Sequence, residues 1–403
     1  MLRVLTLSTL FPDASRPTFG PFVERQTLGL AAHPDVELRV MAPVGIPPLG
    51  RFHSRYRQLA RLPDVETWKG LAVYRTPFGH IPGVGGKWDA GALTRALRRP
   101  LEGIRAQFPF DVIDAQFFWP DGPAAVALGK HFNVPVSIKA RGADIHFWGC
   151  NPATRGAVAQ AGRGADGLLA VSAALKADMV ALGMPADRIT VHHTGIDRDV
   201  FHVRDRESAK AALGIDGPLI VSVGALIARK GQAYVIDAMP LLPKATLVLI
   251  GSGEDAAPLK AQAERSGVAD RVRFMGSLPQ VVIADWLAAA DVMALPSASE
   301  GLANAWVEAL ASGTPVVTCD VGGARELVDR PAAGRLVPRD AGMIAAVISD
   351  LIANPPEREA VAAAVEAFSW EANTAALYAH LSGLAARHPG VGRSDAITGV
   401  TPH

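Results

Sequence analysis

LPSASEGLANAWVEALASGTPVV, residues 295–317, reads as the end of one strand, a turn, a helix and the start of the next strand. The run DVMALPS stops at a Ser-rich turn, and Glu300-Gly301-Leu302 is predicted to open a helix. Its apolar positions Trp306, Val307, Leu310 and Ala311 recur at helical spacing until Ser312-Gly313 ends it, and Pro315-Val316-Val317 restarts a β-branched strand. A helix start leaves N–H groups unpaired, here at Gly301, Leu302 and Ala303, and the helix dipole adds partial positive charge. The turn therefore suits a diphosphate even without a lysine. Glu300 and Glu308 are eight residues apart, slightly more than two helical turns. That spacing predicts two carboxylates on nearly one face, about 12 Å apart, a span that one nucleotide-sugar covers. The alternative is a helix-start carboxylate and an unrelated surface glutamate.

The same alternation extends outward. From Pro218 the strands LIVSVGAL, TLVLIG and RVRFMG alternate with helices starting near Gly231 and Asp255 and spanning Val281 to Ala290. Together with residues 295–317 they predict a complete doubly wound unit. Upstream, short apolar runs at Arg3–Leu7, Glu37–Ala42, Val112–Ala115, Val136–Lys139, Gly167–Val171 and Arg188–His192 each precede a helical pattern, predicting a second parallel α/β sheet. The interval Pro43–Gly91, rich in Pro, Gly and basic residues, predicts loops and short helices. Asp197–Asp216 is charged and lacks a strand pattern, so the boundary falls there. The predicted organisation is an α/β fold with Rossmann-like domains at 1–200 and 201–365, a closing helix at 366–387 and a frayed tail at 388–403.

Composition agrees with a two-domain globular chain. At 403 residues the chain exceeds one ordinary core, and 49% hydrophobic against 20% charged residues is a globular profile. Net charge is +1, but residues 1–150 hold 18 Lys plus Arg against 12 Asp plus Glu. That excess suits an anionic acceptor or peripheral contact with an anionic membrane, and equally an ordinary mixed surface; nothing in it points to nucleic acid. Cys150 and Cys319 stand alone, indicating neither disulfide nor zinc site, and a reducing, cytoplasmic setting is expected. No apolar run is long enough to span a membrane, so any membrane contact is expected to be peripheral.

The motifs around residue 300 resemble the retaining glycosyltransferases of family 4, whose GT-B fold consists of two Rossmann-like domains with parallel sheets facing across a cleft. The resemblance rests on Pro296-Ser297, Glu300-Gly301, Glu308-Ala309, Gly313-Thr314-Pro315-Val316-Val317, Gly322-Gly323 and Glu326. It implies a hexosyltransferase-type enzyme in which Glu308 holds the donor ribose, Glu300 sits by the transferred sugar, and Gly301, Leu302 and Ala303 receive phosphate or sugar oxygens. In VSVGALIARKG, Lys230 takes the family's diphosphate-binding lysine position. The family's arginine after the strand glycine is Ala225 here, and Arg229 is read as supplying the missing charge. RVRFMGSL matches the segment whose backbone reads the base, which implies Gly276 and Ser277 as base contacts. Gly251 and Gly253 lack the third glycine of a dinucleotide fingerprint and read as a tight strand-to-helix turn.

In the first domain the resemblance marks Gly20, a glycine that lets a helix start approach donor phosphate and acceptor, and Arg141 and Asp144 of KARGADIH. A capping Asp paired with Arg is the alternative for the latter two. Where the family often has a histidine after the strand containing Asp114, Gln116 stands. His192 and His193 are open between packing and function. The implied chemistry moves a sugar from a nucleotide-diphosphate-sugar to a glycan, lipid-linked or small-molecule acceptor, with retention by front-face attack and neither metal nor cofactor. Competing readings are an epimerase of the same shape, for which no acid/base residues can be placed, and a silent scaffold, motivated by Ala225 and Gln116.

Overall fold

The computed structural model describes residues 1–17, 19–81 and 86–388. The tail expected over 388–403 lies, apart from His388, outside them. The chain divides into two compact units: Met1–Thr194 together with the segment that starts at Trp370, and Gly195–Ser369.

Ten strands belong to the first unit among the described residues: β1 (Leu2–Leu7), β2 (Val36–Met41), β3 (Val44–Ile46), β4 (Val65–Trp68), β5 (Leu71–Tyr74), β6 (Pro77–Gly79), β7 (Val112–Ala115), β8 (Val136–Ala140), β9 (Gly167–Ala170) and β10 (Ile189–Val191). Eight form one sheet in the order β10-β9-β8-β7-β1-β2-β5-β4, parallel except at the β4–β5 edge, while β3 and β6 pair separately. Every residue of β7, β8 and β9 is buried, as parallel strands covered on both faces require. The loops and short helices expected over Pro43–Gly91 are only part of what forms there. Trp68 and Leu71 close a hairpin through Lys69 and Gly70, both at positive φ, a two-residue turn that matches the strand twist. The helix Trp370–Arg387 buries Leu377 and Leu381 against Val4, Leu30, Val112 and Leu169, a stripe at four-residue spacing that ties it to the first sheet.

The second unit holds β11 (Leu219–Val223), β12 (Thr246–Ile250), β13 (Val272–Gly276), β14 (Val292–Ala294), β15 (Val316–Thr318) and β16 (Gly334–Leu336), all parallel in the order β13-β12-β11-β14-β15-β16. The strand order reverses between β11 and β14, a topological switch point of the kind at which open α/β sheets bind ligands. The short β16 begins at Gly334, whose positive φ lets its backbone lie against Val316.

Candidate active site

The loops after β11 and β14 are the two that the sequence marks for phosphate chemistry, and they meet at this switch point. Gly231 has φ +79°, and a Cβ there would lie 2.2 Å from the Pro296 carbonyl oxygen, so only glycine lets the two loops close on each other. The Ala298 N–H donates to the Arg229 carbonyl at 2.8 Å, and the Arg229 guanidinium donates to the Ser299 carbonyl. Arg339 donates to the Ala228 carbonyl at 2.7 Å and lies over Tyr234, bracing the basic turn Ala228–Lys230 from beyond β16. Sequence reasoning missed Arg339, because its role depends on a strand pairing that its neighbours do not announce.

Lys230 Nζ lies 2.6 Å from Glu300 Oε1, and Arg229 Nη1 lies 3.5 Å from Glu300 Oε2. The Lys230 and Glu300 side chains are 14% and 9% exposed, whereas Arg229 keeps 43%, so Arg229 is the cation facing solvent. Behind Glu300, Gly322 has φ +51° and leaves no room for a Cβ, which would stand 2.0 Å from the Glu300 carbonyl oxygen. Gly323 N–H donates to the Gly301 carbonyl at 2.8 Å.

The helix does not open at Glu300. It runs Asn304–Ala311, and Ala303 at its N-cap offers no side chain to the first turn. Glu300 is therefore placed by the turn packed on Gly322 and Gly323, and the predicted shared helical face with Glu308 does not form. The main-chain N–H groups of Leu302 and Ala303, both buried residues, have no partner among the described residues. Buried amides are normally paired, so two open ones beside an uncapped helix start mark a place for an acceptor oxygen. Glu308, on the second turn, is half-buried with no side-chain partner among the described residues, and burial pushes its carboxyl up to about 7.

Further along the same sheet, Gly276 ends β13 at φ +67° with nothing within 4 Å of a Cβ, and Ser277 Oγ lies 3.0 Å from Ser252 Oγ. Gly251 and Gly253 are tight-turn residues: a Cβ would lie 1.9 Å from the Gly224 carbonyl oxygen in one case and 2.1 Å from that of Leu226 in the other. Ala225 is exposed on the basic loop.

The first unit holds Gly20, Arg141 and Asp144. Gly20 has φ +63°, and a Cβ would lie 2.0 Å from the Leu10 carbonyl oxygen, which fixes the start of the helix Pro21–Ala31. Asp144 is completely buried and spends its carboxylate on the N–H groups of Arg141 (2.9 Å), Gly142 (2.8 Å) and Phe118 (3.2 Å). It shapes a loop and presents no oxygen to solvent. Burial raises its pKa while those N–H donors and Arg141 oppose the shift. Arg141 donates to the main-chain oxygen (2.8 Å) and to Oε1 (2.5 Å) of Gln116 and stacks on Phe22.

Sequence reading missed the buried polar chain that continues from there. Gln116 Oε1 accepts from Gln26 Nε2 at 2.8 Å, Gln116 Nε2 donates to Asp114 at 2.5 Å, and Lys139 Nζ donates to Gln26 Oε1 at 2.7 Å and lies 2.7 Å from His192 Nδ1. His192 Nε2 meets the Asn373 carbonyl at 2.9 Å, so this histidine is packed. Burial drives the Lys139 amine well below its ordinary value and raises Asp114 to about 6.

Residues 203–367 match the family described as Glycosyl transferases group 1, and residues 39–200 match Glycosyltransferase Family 4. D-inositol 3-phosphate glycosyltransferase of Xylanimonas cellulosilytica is 30% identical over 355 residues, which cover 80% of this chain and 84% of that protein. Among solved structures, sucrose-phosphate synthase from Thermosynechococcus elongatus superposes with a TM-score of 0.79 at 22% identity, covering 96% of this chain and 100% of that one. Anabaena HepE in complex with UDP-glucose gives 0.71, also at 22% identity, over 95% and 100%. Those likenesses bear out the GT-B architecture, two parallel α/β domains. With its own motifs matched across both halves, the chain belongs to glycosyltransferase family 4, the glycosyl transferases group 1, and is a glycosyltransferase.

Proposed function

We propose that this glycosyltransferase takes its sugar from a nucleotide-diphosphate donor held at the β11/β14 switch point and transfers it with retention. The observation that carries the reading is the convergence there of Lys230, Arg229 and Glu300 beside the open Leu302 and Ala303 amides. A diphosphate bound on those amides meets both cations. As the glycosidic bond breaks, negative charge grows on the departing oxygen, and Lys230 and Arg229 stabilise it more than they stabilise the ground state. The acceptor O–H attacks the anomeric carbon from the side of the leaving group, a new C–O bond forms as the bond to diphosphate breaks, and the proton passes to the departing phosphate oxygen. With positive charge supplied by side chains and amides, no metal is required.

In this reading Glu308 takes the ribose hydroxyls, Gly276 and Ser277 flank the base, and Glu300 holds Lys230 in place while reaching the transferred sugar. Gly301 allows close approach of the donor. Gly20 and Arg141 are read as donor-binding residues of the first unit, and Asp144 positions the Arg141 loop without touching substrate. The acceptor is a glycan or a lipid-linked saccharide, reached in the cytoplasm with peripheral membrane contact through the basic first unit; among the described residues no helix is long and apolar enough to cross a membrane.

The test is incubation with UDP-, GDP- and ADP-sugars, with and without EDTA, scoring nucleotide release and the anomeric configuration of the product. Acceptor-dependent, EDTA-resistant release with retained configuration supports the proposal. Interconversion of the donor without acceptor makes the protein an epimerase, and inverted product removes the front-face mechanism.

A further inference from the structure

The first sheet has its own switch point, between β1 and β7, and a cavity of about 600 Å³ opens there. Its walls come from the loops after β1, β2, β7 and β8 and from the segments around β6, the carboxyl-end position where open α/β sheets bind ligands. The volume is that of a small-molecule site. Aromatic rings dominate the lining: Phe19, Tyr56, Phe78, Phe117, Trp119 and Trp148.

Polar groups converge on one side. His80 Nδ1 lies 2.9 Å from Asp89 Oδ2, which fixes the ring and leaves Nε2 with no partner among the described residues. Trp119 is 4% exposed, and its indole Nε1 is likewise unpartnered. A Cβ on Gly86 would lie 3.0 Å from that nitrogen and 3.2 Å from Asp89 Oδ2, so donor, carboxylate and dyad crowd one corner. Arg16 also lines the cavity, but its charge is already matched by Asp13 at 2.7 Å. Ring faces with a few fixed hydrogen-bonding groups and little net charge suit a pyranose, whose C–H face lies on an aromatic ring while its hydroxyls take the polar corner.

A second cavity of about 200 Å³ shares Asp89 with the first and is walled by Pro48, Ile81, Trp88 and Ala92, with Lys87 beside it. Ile81 and Trp88 are 45% and 57% exposed, an apolar lip at the edge of a polar-cornered site.

We propose that these two cavities are the acceptor site and that the acceptor is a saccharide carried on an apolar chain. The sugar ring lies among Phe117, Trp119 and Trp148 with a hydroxyl on His80 Nε2, and the chain runs past Asp89 over Ile81 and Trp88. The assignment as acceptor site rests on the transferase reading above; the binding of an alkyl saccharide does not.

The full-length protein is titrated, below micelle concentrations, with methyl and octyl glycosides of glucose, galactose and mannose, and with an octyl sulfobetaine that lacks a sugar. Calorimetry gives affinities, and UDP binding is measured on the same samples. For at least one sugar the octyl glycoside binds ten or more times tighter than the methyl glycoside, the gain expected when about two methylenes are buried. Trp88→Ser, an exposed position that leaves the fold intact, abolishes that increment, and His80→Ala weakens methyl and octyl glycosides alike while keeping their ratio. Absence of a chain-length increment, its survival in Trp88→Ser, or octyl sulfobetaine binding as tightly as the glycosides overturns the proposal. UDP binding without glycoside binding sinks this inference alone, whereas glycoside binding without binding of any nucleotide diphosphate sinks the donor reading and leaves the amphiphile site standing.

Discussion

Lys230 Nζ and Glu300 Oε1 stand 2.6 Å apart across the switch point of the second sheet, joining two loops separated by seventy residues of chain. The pair is largely buried and sits next to open main-chain amides, so it is preorganised: the ammonium is held in place before any phosphate arrives. Removing Glu300 leaves the Lys230 ammonium without its carboxylate, whereas removing Lys230 leaves Glu300 with Arg229 alone at 3.5 Å, which links local stability and chemistry at one point.

Lys230→Ala is expected to lower kcat by roughly 100-fold or more with a smaller change in KM, because its cation faces charge that grows in the transition state. Glu308→Ala acts mainly on KM, since ribose hydroxyls keep their character through the reaction. Steady-state kinetics with the preferred donor check the division, and equal KM effects with unchanged kcat in both variants contradict it.

Glu308 also predicts a pH signature. Its carboxyl is raised to about 7 by burial, so the folded protein holds this proton more tightly than the unfolded chain does. The stability this group contributes is full below its unfolded value and is lost as pH rises through about 7. Glu308→Gln is therefore more thermostable than the parent at pH 8, and the two converge below about pH 4. At pH 8 the same variant binds nucleotide diphosphate more weakly if Glu308 takes the ribose. Thermal melts across pH 4 to 8 with parallel nucleotide titrations measure both, and a Gln variant less stable at pH 8 refutes the assignment.

Lys139 offers a test in the first unit. Lys139→Met keeps the volume but leaves Gln26 Oε1 and His192 Nδ1 without their shared donor. A loss of about 2–4 kcal/mol is expected from two unpaired buried groups, read as a lowered denaturant midpoint for the first unit. An unchanged midpoint means that the chain tolerates the apolar replacement and that the network is not needed for folding.

What was legible in the sequence followed from local pattern. Buried parallel strands such as Val136–Ala140 announce themselves as apolar runs, and Arg229, Lys230 and Glu300 stood out because the motifs in the loops after such runs resemble those of family 4. The helix start was misplaced because Gly301-Leu302-Ala303 is compatible with a first turn, and only the packing of Gly322 and Gly323 beneath it shows otherwise. Lys139 was read as one more strand residue, since nothing local reveals that Gln26, from a helix 113 positions away, and His192 will meet its amine. The aromatic cavity was invisible for the same reason: its rings come from separate loops that only the sheet order brings together.

Two glycines separate backbone strain from steric closure. Gly231 and Gly276 both have positive φ, +79° and +67°, so alanine at either position pays about 1 kcal/mol or more for a left-handed conformation. They differ in clearance: a Cβ at Gly276 meets nothing within 4 Å, whereas at Gly231 it would lie 2.2 Å from the Pro296 oxygen and 2.9 Å from its carbonyl carbon, neither of which can swing aside. Gly276→Ala should therefore cost about 1–2 kcal/mol, while Gly231→Ala costs several and pushes the loop that carries Arg229 and Lys230 off the loop that carries Glu300. Denaturant midpoints measure the first difference. Nucleotide diphosphate affinity measures the second, with Gly231→Ala losing at least tenfold. If Gly231→Ala keeps both stability and affinity, the two loops do not depend on this contact, and the charge cluster must be held together by Lys230 and Glu300 alone.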